Sequence, residues 1–156
     1  MAHIAAARIA ALAFLKEHKT GMLATATKEG RPQASTVFFV SDDKFSIYFI
    51  TLLNSRKYAS MQENPWAAFT IGTEAMPQTL QIEGMVTELR ADEEKEQHIP
   101  NLLKVLTSNQ HYYAPIAQLD TDDVAIMWLR PKWIRWGDYT SPQSGTKNVL
   151  TEIPVE

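Results

Sequence analysis

Two short polar connections between apolar segments constrain the fold of this chain most strongly. Residues 28–32 (Lys-Glu-Gly-Arg-Pro) and 41–44 (Ser-Asp-Asp-Lys) each separate stretches in which apolar and small residues alternate. Parallel neighbours need a crossover of about a dozen residues or more, so connections this short join antiparallel strands. The sequence therefore predicts an antiparallel meander of three strands over residues 22–26, 33–40 and 45–51.

Further segments carry helix or strand patterns. A helix with one apolar face is expected within residues 1–19. Ser55 can cap a second helix, which should end at Asn64 because the residue before a proline avoids helical geometry. A polar helix should begin at Asp92. Pro100 is expected to disturb it, because proline removes a helical hydrogen bond, before residues 102–106 continue it. Four more strands are predicted at residues 66–71, 78–90, 124–128 and 133–136.

These elements together predict a barrel of the α+β class that is mainly β. It should contain six or seven short antiparallel strands with peripheral helices, because closure removes exposed edges. Residues 108–123 are weakly patterned and are predicted to be irregular. The Ser-, Pro- and Gly-rich residues 139–156 are predicted to form a loosely ordered carboxy-terminal arm. Without an internal repeat or linker, residues 1–156 are interpreted as a single domain.

Composition excludes several classes of protein. The 156 residues include no cysteine, which rules out disulfides, thiolate metal sites and a cysteine nucleophile. The formal net charge is −3, and this balance does not favour nucleic-acid binding. No apolar stretch approaches the roughly 20 residues of a membrane span, so a cytoplasmic protein without a membrane partner is expected. The four histidines have no metal-like spacing, and no metal site is predicted.

The start of the predicted second helix has the chemistry of an anion site. Helix starts offer unpaired N–H groups, and Ser55 adds a hydroxyl donor. Arg56 offers a planar fork and Lys57 a compact charge, while the Thr51 hydroxyl lies one loop away. On composition alone, a surface helix start with Ser55 acting only as a cap is the simpler interpretation. The dipole disfavours cations at this end, and that placement is itself a modest argument for a bound anion.

The order of motifs resembles the flavin-binding split barrels related to pyridoxamine 5′-phosphate oxidase. The matching elements are a Gly-x-Pro turn, a ring-lining strand, an Ile-Thr strand end, a Ser-Arg-Lys helix start and a closing Asn-Pro. They stand here at residues 30–32, 35–40, 50–51, 55–57 and 64–65, and residues 79–84 resemble a later strand that ends in Gly. The resemblance covers residues 10 to 90 well. It implies a split barrel that binds flavin mononucleotide (FMN).

The resemblance also implies which residues hold the cofactor. Arg56 and Lys57 would bind the phosphate with help from Ser55 and Thr51, and the ring would lie against the strand at residues 35–38. The implied cofactor-binding residues are Ser35, Thr36, Val37, Phe38, Ile50, Thr51, Ser55, Arg56, Lys57, Thr79 and Gln81. The family builds its site between the subunits of a homodimer. Trp133 and Trp136 are candidates for completing the partner's pocket, although packing within the barrel is the favoured interpretation for both.

Departures from the family pattern bear on the substrate. Ser35 stands where the biosynthetic oxidases carry a phosphate-binding Arg, Val40 where they carry Lys, and Thr79 where they carry Gln. The sequence therefore indicates an FMN-dependent oxidoreductase acting on an unidentified small molecule, not the biosynthetic oxidase itself. A non-catalytic flavin-binding or sensing protein remains an alternative, as does a related barrel binding F420 or haem. The aromatic cluster at residues 111–113 could cap the flavin, although packing against the barrel is the favoured interpretation.

Overall fold

A computed structural model describes residues 1–72, 75, 77–107, 121–140 and 149–156. Three α-helices and eight β-strands lie in these ranges, together with a short 3₁₀ helix at Thr121–Asp123. In chain order they are α1 (Ala2–Glu17), β1 (Thr20–Ala26), β2 (Pro32–Phe38), β3 (Val40–Ser41), β4 (Ile47–Leu52), α2 (Arg56–Glu63), β5 (Trp66–Gly72), β6 (Gln78–Glu88), α3 (Asp92–Thr107), β7 (Val124–Asp138) and β8 (Leu150–Glu152). None of the helices in these ranges is both long and apolar enough to cross a membrane.

The strands form one antiparallel sheet that curls into a half-barrel. Seven of them follow the order β2-β1-β5-β6-β7-β4-β3, and β8 pairs with β7 outside this order. This arrangement confirms the predicted antiparallel split barrel with peripheral helices. The central position of β7 matters for the site, because β7 pairs with β4 near its start and with β6 over most of its length.

The core lies inside the curl of the sheet, where alternate residues of each strand meet. Leu23, Phe69, Ile82 and Ile134 are opposite one another across β1, β5, β6 and β7, and all four are buried. Burial of one such side chain stabilises the fold by about 1.5–3 kcal/mol. The buried face of helix α1 joins this core, and the Phe14 ring packs edge-on against Trp136 at a centroid distance of 5.1 Å.

The predicted three-strand meander is present only in part. β1 and β2 form the expected hairpin, but the second predicted strand breaks at Phe39. The Phe39 ring is buried against Phe69 at a centroid distance of 4.9 Å, so the chain turns inward there. Only the two residues after the break, which form β3, pair with β4. β2 and β4 therefore approach each other without forming a ladder.

The two closing strands predicted from the sequence are one continuous strand, β7, which runs through Pro131. Proline interrupts a ladder because it has no N–H, and such positions occur at bulges. The register between β6 and β7 shifts between Glu83 and Gly84, opposite Pro131. A Cβ atom at Gly84 would overlap the Arg130 carbonyl oxygen. The bulge therefore depends on a glycine that lets the two backbones approach closely.

α3 begins at Asp92 and continues beyond Pro100 to Thr107, as the sequence predicts. The carboxy-terminal arm, in contrast, differs from its predicted looseness. Within residues 139–156, which were predicted to be loosely ordered, β8 pairs with β7. The Ile153 side chain is only 3% exposed and belongs to the core. The expected looseness therefore does not hold for these last residues. The predictions for residues 108–120, including the aromatic cluster at 111–113, and for residues 141–148 lie outside the described residues.

Candidate functional site

Two hydroxyl groups meet where β4 leads into α2. The Thr51 Oγ1 and Ser55 Oγ atoms are 2.9 Å apart, and Thr51 is only 1% exposed. Ser55 is the N-cap residue of α2, as the sequence predicts, and its Oγ accepts a hydrogen bond from the Tyr58 backbone N–H at 3.2 Å. Side-chain capping of this kind satisfies one of the orphan N–H groups of a helix start. The cap also fixes the position of the Ser55 hydroxyl.

The first two residues of α2 are cations without counterions in the described ranges. Neither Arg56 nor Lys57 forms an ion pair there, and the first turn holds no acidic side chain. Cations at this end oppose the helix dipole, at a cost of about 0.3–1 kcal/mol each in exposed positions. Lys57 is half-buried, and this burial lowers its pKa from the ordinary value of 10.5. The helix start therefore carries uncompensated positive charge, part of it desolvated.

α2 is held against the sheet on the side away from solvent. The Tyr58 hydroxyl donates a hydrogen bond to Glu88 Oε2 at the end of β6, at 3.0 Å. Burial, together with the hydrogen bond to Glu88, raises the pKa of Tyr58. Met61, one turn further along, is buried in the core. These contacts fix the helix start relative to the end of β6.

A surface cleft of about 190 Å³ separates α2 from the turn between β1 and β2. The turn places one arginine on the cleft, and the helix places another. The lining residues are Thr27, Arg31, Pro32, Gln33, Arg56, Ala59 and Ser60. Of the predicted phosphate residues, Arg56 lines this cleft and Lys57 does not. Successive helical residues diverge by about 100° around the helix axis, so Arg56 and Lys57 point in different directions.

Arg31 and Gln33 were not among the residues expected at the site. The Gly30-Arg31-Pro32 turn was recognised from the sequence only as a connection before the ring-lining strand. Its proximity to α2 depends on the fold, since the Lys28 backbone N–H donates to Glu63 Oε2 at 3.3 Å. The signal that could have found Arg31 is its place between a turn-forming Gly and the Pro that begins β2.

The predicted ring-lining residues lie on β2, which is at one end of the sheet order in the described ranges. Val37 is buried in the core, Thr36 is exposed, and Ser35 and Phe38 are half-buried. An end strand leaves half of its backbone N–H and C=O groups unpaired, and such groups are available to a ligand. On β4, Ile50 packs against a second core cluster that includes Tyr48, Leu89, Leu102 and Ile126.

The last two predicted residues, Thr79 and Gln81, lie on β6, and their partners on β7 are far along that strand from the partner of Thr51. Gln81 and Thr79 are opposite Arg135 and Gly137 on β7, whereas Thr51 is opposite Ala125. The ten residues from Ala125 to Arg135 correspond to about 33 Å of strand. Apart from the four residues on β2, the predicted site residues of one chain therefore form two groups at opposite ends of β7.

The group around Gln81 is itself organised. Gln81 Oε1 accepts two hydrogen bonds from Arg135, from Nε at 3.0 Å and from Nη2 at 2.8 Å. The Arg135 guanidinium lies 5.1 Å from the centre of the Trp133 ring. Trp133 is half-buried, whereas Trp136 is only 4% exposed and packs on Phe14 inside its own barrel. Trp136 therefore contributes to the core, and Trp133 is the tryptophan that remains a candidate for a partner's pocket.

Fold and site together define a small split β-barrel with a cationic helix start at one end of its longest strand. The family model described as pyridoxamine 5′-phosphate oxidase matches residues 8–143. The chain belongs to this family.

A curated relative matches over part of its length. The pyridoxine/pyridoxamine 5′-phosphate oxidase of Salinibacter ruber is 34% identical over 82 residues, which is 53% of this chain and 38% of that protein. The match thus spans less than two fifths of the relative's length.

Solved structures share the fold at low sequence identity. A haem-binding protein from Mycobacterium smegmatis superimposes with a TM-score of 0.69 at 19% identity, covering 94% of this chain and 57% of that one. An FMN-binding protein from Nostoc punctiforme, related to pyridoxamine 5′-phosphate oxidase, gives 0.58 at 16% identity, covering 95% and 86%. An F420 reductase gives 0.61 at 24% identity, covering 78% and 93%. These likenesses show that the chain shares its fold with these proteins.

Proposed function

We propose that this protein binds flavin mononucleotide and acts as an oxidoreductase on a small molecule. The observation that carries the proposal is the helix start at Ser55, Arg56 and Lys57. Two hydroxyls and two cations lie at this helix start, and no acidic side chain of the described ranges pairs with the cations. The membership of the chain in the pyridoxamine 5′-phosphate oxidase family supports a flavin as the ligand.

The residues present fit a phosphate dianion. The lowered pKa of the half-buried Lys57 marks an ammonium group that has lost water and has gained no counterion among the described residues. A dianion beside it would replace that lost solvation. Arg56 adds a planar fork suited to phosphate oxygens, and the backbone N–H groups of the helix start add dipolar donors. A neutral ligand would leave this charge uncompensated.

The same proposal places the site between two subunits of a homodimer. The hydroxyl pair and the Gln81–Arg135 pair are separated by about 33 Å of β7. That length exceeds an extended flavin mononucleotide, so one cofactor does not reach both groups of a single chain along this path. In a dimer, the helix start of one subunit holds the phosphate, and Gln81 of its partner approaches the ring. The sheet face that carries Gln81 also exposes Met22, which is 41% exposed, and a second copy would cover it.

A bound flavin would supply hydride or electron transfer, so the protein itself needs no nucleophile or metal. The role of the chain's own residues would be to bind the cofactor and to orient it. The N-cap fixes Ser55, the Tyr58–Glu88 hydrogen bond fixes α2, and the unpaired edge of β2 faces the ring. No residue is assigned as a general acid or base. The substrate is a small molecule that would enter beside β2.

The binding test is a titration of the purified protein with FMN, followed by absorbance and by quenching of flavin fluorescence. The Arg56→Ala/Lys57→Ala variant should lose binding while its circular dichroism and thermal midpoint stay close to those of the native chain. The matched control is Lys44→Ala/Lys132→Ala, which removes two exposed cations away from α2 and should bind normally. Tight FMN binding by the first variant would show that the phosphate lies elsewhere.

Two further measurements separate the alternatives. Reduction of the bound flavin by NADH or NADPH, followed by transfer to an acceptor, would distinguish an enzyme from a flavin-binding or sensing protein. Parallel titrations with F420 and with haem address the cofactors of the related barrels. A chain that ignores FMN and binds one of these instead would refute the assignment of FMN.

A further inference from the structure

The cleft between α2 and the β1–β2 turn has two arginines on its rim. Arg31 stands on the turn and Arg56 on the helix, and both line the same cleft of about 190 Å³. Neither forms an ion pair within the described ranges. Glu63, the acidic residue of α2, accepts a hydrogen bond from the Lys28 backbone and does not line the cleft. The rim is therefore positively charged on both sides.

Polar groups lie beneath this rim. Ser60 lines the cleft although it is only 6% exposed, and Gln33 lines it from β2. Thr25 is directly opposite Gln33 on β1, so their Cβ atoms are about 5 Å apart. Thr25 is only 4% exposed, and its Oγ1 has no hydrogen-bond partner in the described ranges. Such an unpaired buried hydroxyl is rare in folded proteins, and Thr25 itself does not line the cleft.

The turn holds Arg31 in a defined place. The backbone N–H of Arg31 donates to Thr27 Oγ1 at 3.0 Å, and the N–H of Thr27 donates to the Arg31 carbonyl at 2.9 Å. Gly30 takes a φ of +84°, which other residues rarely adopt, and Pro32 then begins β2. The base of the Arg31 side chain is thus ordered before any ligand arrives, which lowers the entropic cost of binding.

We propose that Arg31 is a second arginine ligand of the terminal phosphate of flavin mononucleotide, which Arg31 would reach at the start of α2 from across the cleft that it lines together with Arg56. This inference rests on the proposed function and adds a residue to it. A phosphate monoester presents three terminal oxygens, so it can accept hydrogen bonds from two planar guanidinium forks at once.

The test compares FMN with riboflavin, which lacks the phosphate. The variant is Arg31→Ala, and the matched control is Lys28→Ala, which removes an exposed cation of the same turn that does not line the cleft. Dissociation constants are measured by fluorescence titration at one low ionic strength. We expect Arg31→Ala to weaken FMN binding about tenfold, since it removes a charge-assisted contact, and to leave riboflavin binding unchanged. Lys28→Ala should change neither constant by more than about twofold.

Two additional measurements strengthen the comparison. Arg31→Lys keeps the charge without the fork, so its dissociation constant for FMN should lie between those of the native chain and Arg31→Ala. The salt dependence of FMN binding should be less steep in Arg31→Ala than in the native chain, because one cationic contact has gone.

Several outcomes would overturn the inference. Normal FMN binding by Arg31→Ala would exclude Arg31 as a ligand while leaving the proposed function intact. Equal losses for FMN and riboflavin would show a structural role for the turn. A native chain that binds no flavin would instead refute the proposed function, and this inference with it.

Discussion

The Thr51 hydroxyl oxygen lies 2.9 Å from the Ser55 hydroxyl oxygen, and this contact joins the end of β4 to the start of α2. Because Ser55 also caps the helix, one side chain serves both the stability of α2 and the proposed phosphate site. The two contributions can be separated experimentally.

Two substitutions at Ser55 should have different effects. Ser55→Ala removes the cap and should lower the free energy of unfolding by about 1 kcal/mol, and it should also weaken FMN binding. Ser55→Asp keeps a capping oxygen and favours the helix dipole, so stability should be retained. Its negative charge would repel a phosphate, so FMN binding should fall by more than tenfold. Chemical denaturation and flavin titration measure the two quantities. Tight FMN binding by Ser55→Asp would contradict a phosphate at this helix start.

The affinity for FMN should depend on the protonation of Lys57. Burial lowers the pKa of Lys57 in the free protein, and a bound phosphate would raise it again. Affinity should therefore be constant below the lowered pKa and should fall as the pH rises through it towards the ordinary value of 10.5. Titrations across alkaline pH test this.

Lys57→Arg is the matched control for that pH dependence, because arginine stays charged throughout the range. Ionisation of the flavin ring affects both proteins equally, so the difference between their profiles isolates Lys57. Superimposable profiles would show that Lys57 does not face the phosphate.

A site shared between subunits predicts complementation between two defective chains. Arg56→Ala/Lys57→Ala damages the helix start, and Gln81→Ala/Arg135→Ala damages the other group on β7. Half of the dimers refolded from an equal mixture contain one chain of each kind, and each of these has one intact site. About a quarter of all sites should therefore regain tight FMN binding. Each variant refolded alone provides the baseline. No recovery in the mixture would place the whole site within one chain.

Gly84→Ala should be strongly destabilising, by about 3 kcal/mol, because its methyl group would overlap the Arg130 carbonyl oxygen. Gly72→Ala is a suitable control, since its nearest contact would be Thr79 Cγ2 at an ordinary 3.4 Å. Thermal or chemical denaturation measures the difference. Equal stabilities of the two variants would show that β6 and β7 can separate at the bulge without cost.

Local chemistry made part of this structure predictable from the sequence. The β1–β2 hairpin follows from a turn with Gly and Pro, and the bounds of α2 follow from the Ser55 cap and Pro65. The break at Phe39 was missed, because a strand-like pattern does not reveal that a ring will pack inward on Phe69. The continuity of β7 was missed for a similar reason. Pro131 lies at a register shift where Gly84, far away in sequence, leaves room for the Arg130 carbonyl oxygen.

The candidate site, like the fold, could be predicted from the sequence only in part. The motif at residues 55–57 is contiguous, so its chemistry could be recognised without the fold. The position of Arg31 opposite Arg56 depends on how the hairpin packs on α2, and no spacing in the sequence encodes it. The separation of Thr51 from Gln81 depends on the strand register along β7. The roles of these residues remain predictions.

The shift in register beside Pro131 also bears on how such a protein can diversify. The pairing of β6 and β7 before the shift is offset from the pairing after it, so the two halves of the long strand do not share one uniform ladder. Substitutions around Arg135 could then accumulate without sliding the residues opposite Thr51 out of alignment. A lineage could in this way exchange the chemistry at one end of the barrel while inheriting the other end unchanged.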